Sequence, residues 1–171
     1  GADIVGADDL AAQIEGGIRG ATVLLDSDTM LLPGHGTVHA VDIETGTETY
    51  RLELVPDVEG GCMWVSPTPD SRYLATAWRR GDTNPGRGVV NVWDLASRQK
   101  RFDDIEVPFS MGAVAISPDG TLVAAGGWTG AMGEPKSIYL VQRDTGAFIR
   151  RLDGLPNVVP HLSFNTAVSF M

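Results

Sequence analysis

The sequence predicts an all-β chain assembled from repeated units of four short antiparallel strands, and three observations predict it. First, β-prone runs alternate with turn chemistry: residues 89–93 (VVNVW) stop at Asp94, and 113–116 enter the turn Ser117-Pro118-Asp119-Gly120 before 121–125 resume an apolar run. Second, the turn after the first strand of each unit recurs, as Asp26-Ser27-Asp28-Thr29, Pro67-Thr68-Pro69-Asp70-Ser71, Ser117-Pro118-Asp119-Gly120 and a worn copy Asn165-Thr166-Ala167-Val168. Asp28, Asp70, Asp119 and Ala167 are 42, 49 and 48 residues apart. Third, a second landmark keeps step with the first: Val41-Asp42-Ile43-Glu44-Thr45-Gly46, Trp93-Asp94-Leu95-Ala96-Ser97-Arg98 and Val141-Gln142-Arg143-Asp144-Thr145-Gly146 each close a strand and open a turn. A period of this size belongs to radial or solenoidal architectures.

The elements follow in order. Residues 1–17 read as outer strands of a preceding unit, with a turn of helix over 10–14 as the rival reading. The unit 18–57 divides into strands at 21–26, 30–33, 38–43 and 48–54. The unit 58–108 gives 62–66, 72–78, 89–93 and 100–107, and the unit 109–156 gives 113–117, 121–127, 137–142 and 148–153. Residues 157–171 begin a further unit. Core positions expected from the apolar runs are Val114, Ile116, Leu122, Ala124, Ile138, Leu140 and Phe148, with Met63, Val65, Leu74, Val90, Val92 and Phe102 in the unit before. Each sheet hides its faces only against its neighbours, so stability is expected from stacking.

The segments VNVWDLAS, AVAISPDGTLVAAGG and, more loosely, TVHAVDIETG and SIYLVQRDTG resemble the WD40 repeat family from about Ile18 onward. The Trp-Asp pair occurs once, as Trp93-Asp94, and Gly34-His35 is out of place for the family's Gly-His. The resemblance implies β-propeller blades of four antiparallel strands around a central channel. With three complete units in 171 residues the ring is incomplete, since propellers use typically four to eight blades. The chain is therefore expected to be an excerpt, accompanied by additional blades or domains of the same polypeptide.

Composition narrows the function. The net charge of −9 argues against nucleic acid as a partner, which needs clustered Lys and Arg to displace counterions. No apolar run reaches the roughly 18 residues of a spanning helix, so no membrane role is expected. Cys62, the single cysteine, permits no internal disulfide and reads as a small buried hydrophobe, which fits a cytoplasmic location. His35 and His39 flank a tight turn and His161 stands apart, too few converging ligands for a metal. No G-x-S-x-G elbow or phosphate-loop pattern is present, and no cofactor is expected. Arg80-Gly81-Asp82 reads as a chance tripeptide in a turn-rich loop. Asp103-Asp104 and Asp8-Asp9 read as solvated edges.

Loop length carries the functional expectation. Second-to-third-strand connections emerge on one rim, and two of them are long, RRGDTNPGRG (79–88) and WTGAMGEPK (128–136). Function concentrates on loops held by a rigid scaffold. That rim would carry Trp78, Arg79, Arg80, Arg87, Trp128, Met132 and Lys136, joined by Phe109 and Met111, and Trp and Arg are types enriched at protein–protein hot spots. The resemblance implies a non-catalytic scaffold that binds a protein or peptide. The rival is a fragment of an enzymatic propeller, a hydrolase or a quinone-dependent dehydrogenase, with its site at the channel mouth. The starts of the first strands (Thr22, Cys62, Ala113, Pro160) are mostly small or apolar, which favours the scaffold.

Overall fold

The computed structural model describes residues 22–54, 62–80, 87–107, 110–128 and 136–155. The described residues form three antiparallel sheets and contain no helix. The first sheet is β1 (Val23–Leu24), β2 (Thr29–Pro33), β3 (Thr37–Asp42) and β4 (Glu48–Glu53), paired in that order. The second is β5 (Cys62–Pro67), β6 (Tyr73–Arg80) and β7 (Arg87–Asp94), with β8 (Gln99–Lys100) and β9 (Ile105–Val107) both paired to β7. The third is β10 (Ser110–Ile116), β11 (Leu122–Trp128), β12 (Lys136–Gln142) and β13 (Phe148–Leu155). These are blades of a partial propeller. The expected segments 1–17 and 157–171 lie outside the described residues.

The second blade lies between the other two, and strand alternation tells its faces apart. Leu74, Trp78, Val89 and Trp93 pack with Leu31, Val38, Ala40 and Leu52 of the first blade. Tyr73, Ala75, Ala77, Val90 and Val92 pack with Val114, Ile116, Val123, Ala125 and Val141 of the third. Burial on both faces explains why β6 and β7 read as nearly continuous apolar runs. Fully burying a Leu or Val side chain contributes about 1.5–3 kcal/mol, so these two seams hold the blades together. Of the expected core, Val65, Leu74, Val90, Val92, Val114, Ile116 and Ala124 are buried, whereas Leu122, Ile138, Leu140 and Phe102 are half-buried. The side chain of Met63 lies outside the described residues. Phe148 corrects the expectation: it is 59 % exposed, because it starts the outermost strand and meets only the edge of the seam through Tyr139, at 5.8 Å between ring centroids.

Two kinds of turn recur with the same chemistry. In the β5–β6 turn the Thr68 hydroxyl donates to Asp70 Oδ1 (2.5 Å) and accepts from the Tyr73 N–H (3.0 Å). Ser117 does the same with Asp119 (2.5 Å) and Leu122 (2.9 Å) between β10 and β11. In the third-to-fourth-strand turns, Asp42 Oδ1 accepts from the Thr45 N–H (2.7 Å), and Asp94 Oδ1 accepts from Ala96 and Ser97 (3.1 and 3.2 Å). These turns place Gly46, Arg98 and Gly146 at positive φ (67°, 57° and 67°). Hence the Asp of the Trp-Asp pair is a turn cap, satisfying backbone donors that a sheet end leaves open.

The outer position of the second blade departs from the sequence reading. It was expected as one strand over 100–107, but the ladder pairs Trp93 with Lys100 and then resumes with Val90 opposite Ile105. Four residues, 101–104, therefore face two, Asn91 and Val92. The excess is a bulge that turns the Asp104 side chain onto Asn91.

Candidate interaction rim

The second-to-third-strand connections of all three blades leave from one rim. In the second blade β6 and β7 pair to their ends there, Trp78 opposite Val89, Arg79 opposite Gly88 and Arg80 opposite Arg87. In the third blade Ser110 is opposite Trp128 and Met111 opposite Gly127, with Lys136 opening β12. The blades stack in the same sense: at the far ends of the first strands, the Ile116 N–H donates to Ser66 Oγ (3.2 Å), and the Ser71 hydroxyl of the β5–β6 turn donates to the carbonyl of Leu25 (2.7 Å). The backbones of Arg79, Arg80, Arg87, Met111, Trp128 and Lys136 are thus brought to one end of adjoining blades. Phe109 and Met132, with Gly81 and Asp82 of the tripeptide, lie outside the described residues, as do the side chains of Met111, Trp128 and Lys136.

Trp78 corrects the rim as read from sequence. Its side chain is 1 % exposed, turned by alternation into the seam with the first blade, and its indole N–H donates to Asn91 Oδ1 (2.7 Å). Arg80 lies over the ring at 5.3 Å from its centroid. Arg79, on the other face of β6, is half-buried.

The two remaining arginines are held by acids that sequence reasoning treated as edge decoration or passed over. Arg80 bonds Asp104 Oδ2 (3.1 Å) and Glu106, and Arg87 bonds the other oxygen of Glu106 (3.0 Å). The hydrogen bond from Arg87, aided by those from Arg80, holds the Glu106 carboxyl below its ordinary range against the opposing effect of desolvation. Arg87 stays 73 % exposed. Asp104 is the hub beneath them. It accepts from Asn91 Nδ2 (2.7 Å) and Lys100 Nζ (2.6 Å), and Lys100 reaches the carbonyl of Leu54 in the first blade (2.7 Å). Asp104 is therefore no solvated edge. Its neighbour in sequence, Asp103, is exposed. The bulge that aims Asp104 inward has no signature in the residue pattern, which is why the pair looked equivalent.

A second polar group occupies the corresponding place in the first blade. On alignment of the two turn landmarks, His39 stands where Asn91 does. His39 is buried; its Nδ1 bonds Glu48 Oε2 (2.6 Å) and its Nε2 bonds Thr37 Oγ1 (2.8 Å), while Arg51 bonds the other Glu48 oxygen (2.9 Å). Burial pushes Glu48 up, but the hydrogen bond and charge of His39 together with Arg51 bring it below its ordinary range on balance. The hydroxyl–imidazole–carboxylate order is that of a catalytic relay. Here the hairpin closes over it: a Cβ at Gly34 would come within 3.0 Å of Thr37 Oγ1 and 3.1 Å of His39 Nε2, and the Gly34 N–H is bonded to the Thr37 carbonyl (2.8 Å). The group works as a bracket tying β3 to β4. Among the described residues, no three His, Cys, Asp or Glu side chains gather as metal ligands.

No family model matches the chain. It is similar to telomerase protein component 1 of Mus musculus, 27 % identical over 150 residues, which is 87 % of this chain and 5 % of that protein. It is also similar to the small ribosomal subunit protein RACK1 of Neurospora crassa, 32 % identical over 101 residues, or 56 % of this chain and 28 % of RACK1. The telomerase component of Rattus norvegicus is 27 % identical over 115 residues. These relatives are WD40-type proteins, and the likeness supports a WD40-like affinity at the coarse level of the repeat.

Proposed function

We propose that this chain is a WD40-like propeller segment that serves as a non-catalytic protein-interaction scaffold within a larger polypeptide, binding a protein or peptide through the rim of the second and third blades. The observation that carries this reading lies at the strand ends: the last residues of β6 and β11 and the first of β7 and β12 reach one end of adjoining blades, with a preset ionic base in the second. Arg80 and Arg87 stand at the feet of the connection between β6 and β7, held by Asp104 and Glu106. Fixing a guanidinium before a partner arrives removes part of the ordering cost of binding, and Arg fixed in this way is a frequent anchor. The WD40-type relatives support the same reading. The rim expected to take part comprises Arg79, Arg80, Arg87, Phe109, Met111, Trp128, Met132 and Lys136, without Trp78.

The test is capture of partners by the full-length protein carrying Arg87→Glu and Trp128→Ala. Arg87 is mostly solvent-exposed, so the fold should persist, checked by an unchanged thermal midpoint. Loss of captured partners is expected. An undiminished partner set with the fold intact would remove this rim from consideration.

A further inference from the structure

Arg80 and Arg87 share Glu106, but their contacts reach different distances into the protein. Among the described residues the ion pair of Arg87 ends at Glu106. Arg80 continues inward: its Nη2 donates to Asp104 Oδ2 (3.1 Å), and its guanidinium lies over the Trp78 ring, which is packed in the seam with Leu52 and Leu54. The other oxygen of Asp104 accepts from Asn91 Nδ2 (2.7 Å) and Lys100 Nζ (2.6 Å). Lys100 Nζ also donates to the carbonyl of Leu54 in the first blade (2.7 Å). The Leu54 N–H in turn donates to the carbonyl of Gly36 (2.9 Å), inside the connection between β2 and β3. Three half-buried side chains, Arg80, Asp104 and Lys100, therefore join the rim of the second blade to the rim of the first. Asp104 is their common point, and two cations divide one carboxylate there. In a partly desolvated site each cation weakens the hold of the other, by repulsion and by drawing on the same charge.

We infer that the Arg80–Asp104–Lys100 chain is a conformational link between blades: a partner that draws the Arg80 guanidinium onto its own acceptor leaves Asp104 to Lys100, and so tightens the second blade's grip on Leu54 and on the 34–36 connection of the first. The inference rests on the reading of this rim as a partner surface and adds to it a response within the protein. Coupling of this kind is reciprocal: a firmly seated Lys100 releases Arg80 for the partner. Arg87 reaches the chain only through Glu106 and acts on it more weakly.

The experiment uses the full chain, with substitution of Arg80 standing in for a guanidinium drawn away. Arg80→Met, Lys100→Met, Arg87→Met and the Arg80→Met/Lys100→Met double variant are compared with the parent, since methionine keeps an apolar stem and removes the charge. The chain has two lysines, Lys100 and Lys136, so the ammonium signal of Lys100 in a 15N-lysine sample is identified by its loss in Lys100→Met. In Arg80→Met the Lys100 ammonium protons should exchange with water at least about threefold more slowly, and in Arg87→Met the change should be smaller. The Leu54 amide should exchange more slowly in Arg80→Met and faster in Lys100→Met. A general loss of stability would speed both, so the opposite signs report the link itself. In urea, the midpoint of the double variant should fall by more than the two single falls combined, because only there does Asp104 keep no cation. The inference is overturned if Lys100 exchange is unchanged in Arg80→Met, if Arg87→Met matches Arg80→Met, if the Leu54 amide speeds in both single variants, or if the midpoint falls simply add. None of these readings involves a partner, so their failure leaves the rim standing as a binding surface. Undiminished capture in the earlier test would remove the rim without altering them.

Discussion

Asp104 shows how much one side chain can hold in a sheet protein. It receives donors from Asn91, Lys100 and Arg80, and through Lys100 it reaches the backbone of the neighbouring blade. Removing it takes the acceptor from the amide of Asn91 and the charge partner from Lys100, which keeps only the carbonyl of Leu54, in a largely desolvated seam. Asp104→Ala should therefore lower the free energy of urea unfolding by about 3 kcal/mol, whereas Asp103→Ala, at an exposed position, should stay within about 0.5 kcal/mol. Equal effects at the two positions would contradict the hub. The glycines in the turns allow a second comparison. Gly46 and Gly146 share the same left-handed conformation, but a Cβ at Gly46 meets nothing within 4 Å, while one at Gly146 would stand 2.9 Å from Ile105 Cδ1 and 3.0 Å from the Phe102 ring. Gly46→Ala should cost about 1 kcal/mol from backbone strain alone. Gly146→Ala should cost measurably more, because it also wedges the junction between the second and third blades.

At the scale of the element, the turns decide how the strands respond to acid. The Thr45 N–H and hydroxyl hold the Asp42 carboxyl below its ordinary range, and the Ser117 hydroxyl with the Thr121 N–H does so for Asp119. A carboxyl with a lowered folded pKa stabilises fully above its unfolded value, and that contribution disappears as pH falls through the folded value. The thermal midpoint should hold between pH 7 and 5 and drop below about pH 4. The variant Asp42→Asn with Asp119→Asn should melt lower at pH 7 yet lose less between pH 5 and 2; a parallel decline would show that these caps do not govern acid stability. The same turns were the legible part of the sequence. Their spacing located most strands to within a few residues, because Asp, Ser, Thr and Gly report local backbone geometry directly. What stayed hidden depended on partners distant along the chain. The break between β8 and β9 arises from Asp104 meeting Asn91. Trp78 is buried by residues of the first blade, and Phe148 is exposed by its place on the last strand. The Thr37–His39–Glu48 bracket could have been sought as a hydroxyl and a His two apart on a strand with an acid across the hairpin.

For the whole molecule, the second blade is the keystone: both of its faces are occupied, and each seam uses residues from β6 and β7. Val92 is fully buried against the third blade, so Val92→Ala should lose about 1–2 kcal/mol and speed amide exchange in β10, β11 and β12 as well as in its own sheet. Faster exchange confined to the second sheet would mean that the blades open independently. A last consequence follows from the position shared by His39 and Asn91. Two blades with nearly the same outline carry different polar inserts there, one keyed to Glu48 and the other to Trp78 and Asp104. Each insert finds its counterparts inside its own sheet, so exchanging single strands, β3 for β7, would trap an imidazole or an amide where no matching group awaits it. Such inserts act as serial numbers within a module: a whole blade that is shuffled or duplicated takes its polar set with it, whereas a protein engineer who grafts a single strand must move the counterparts too.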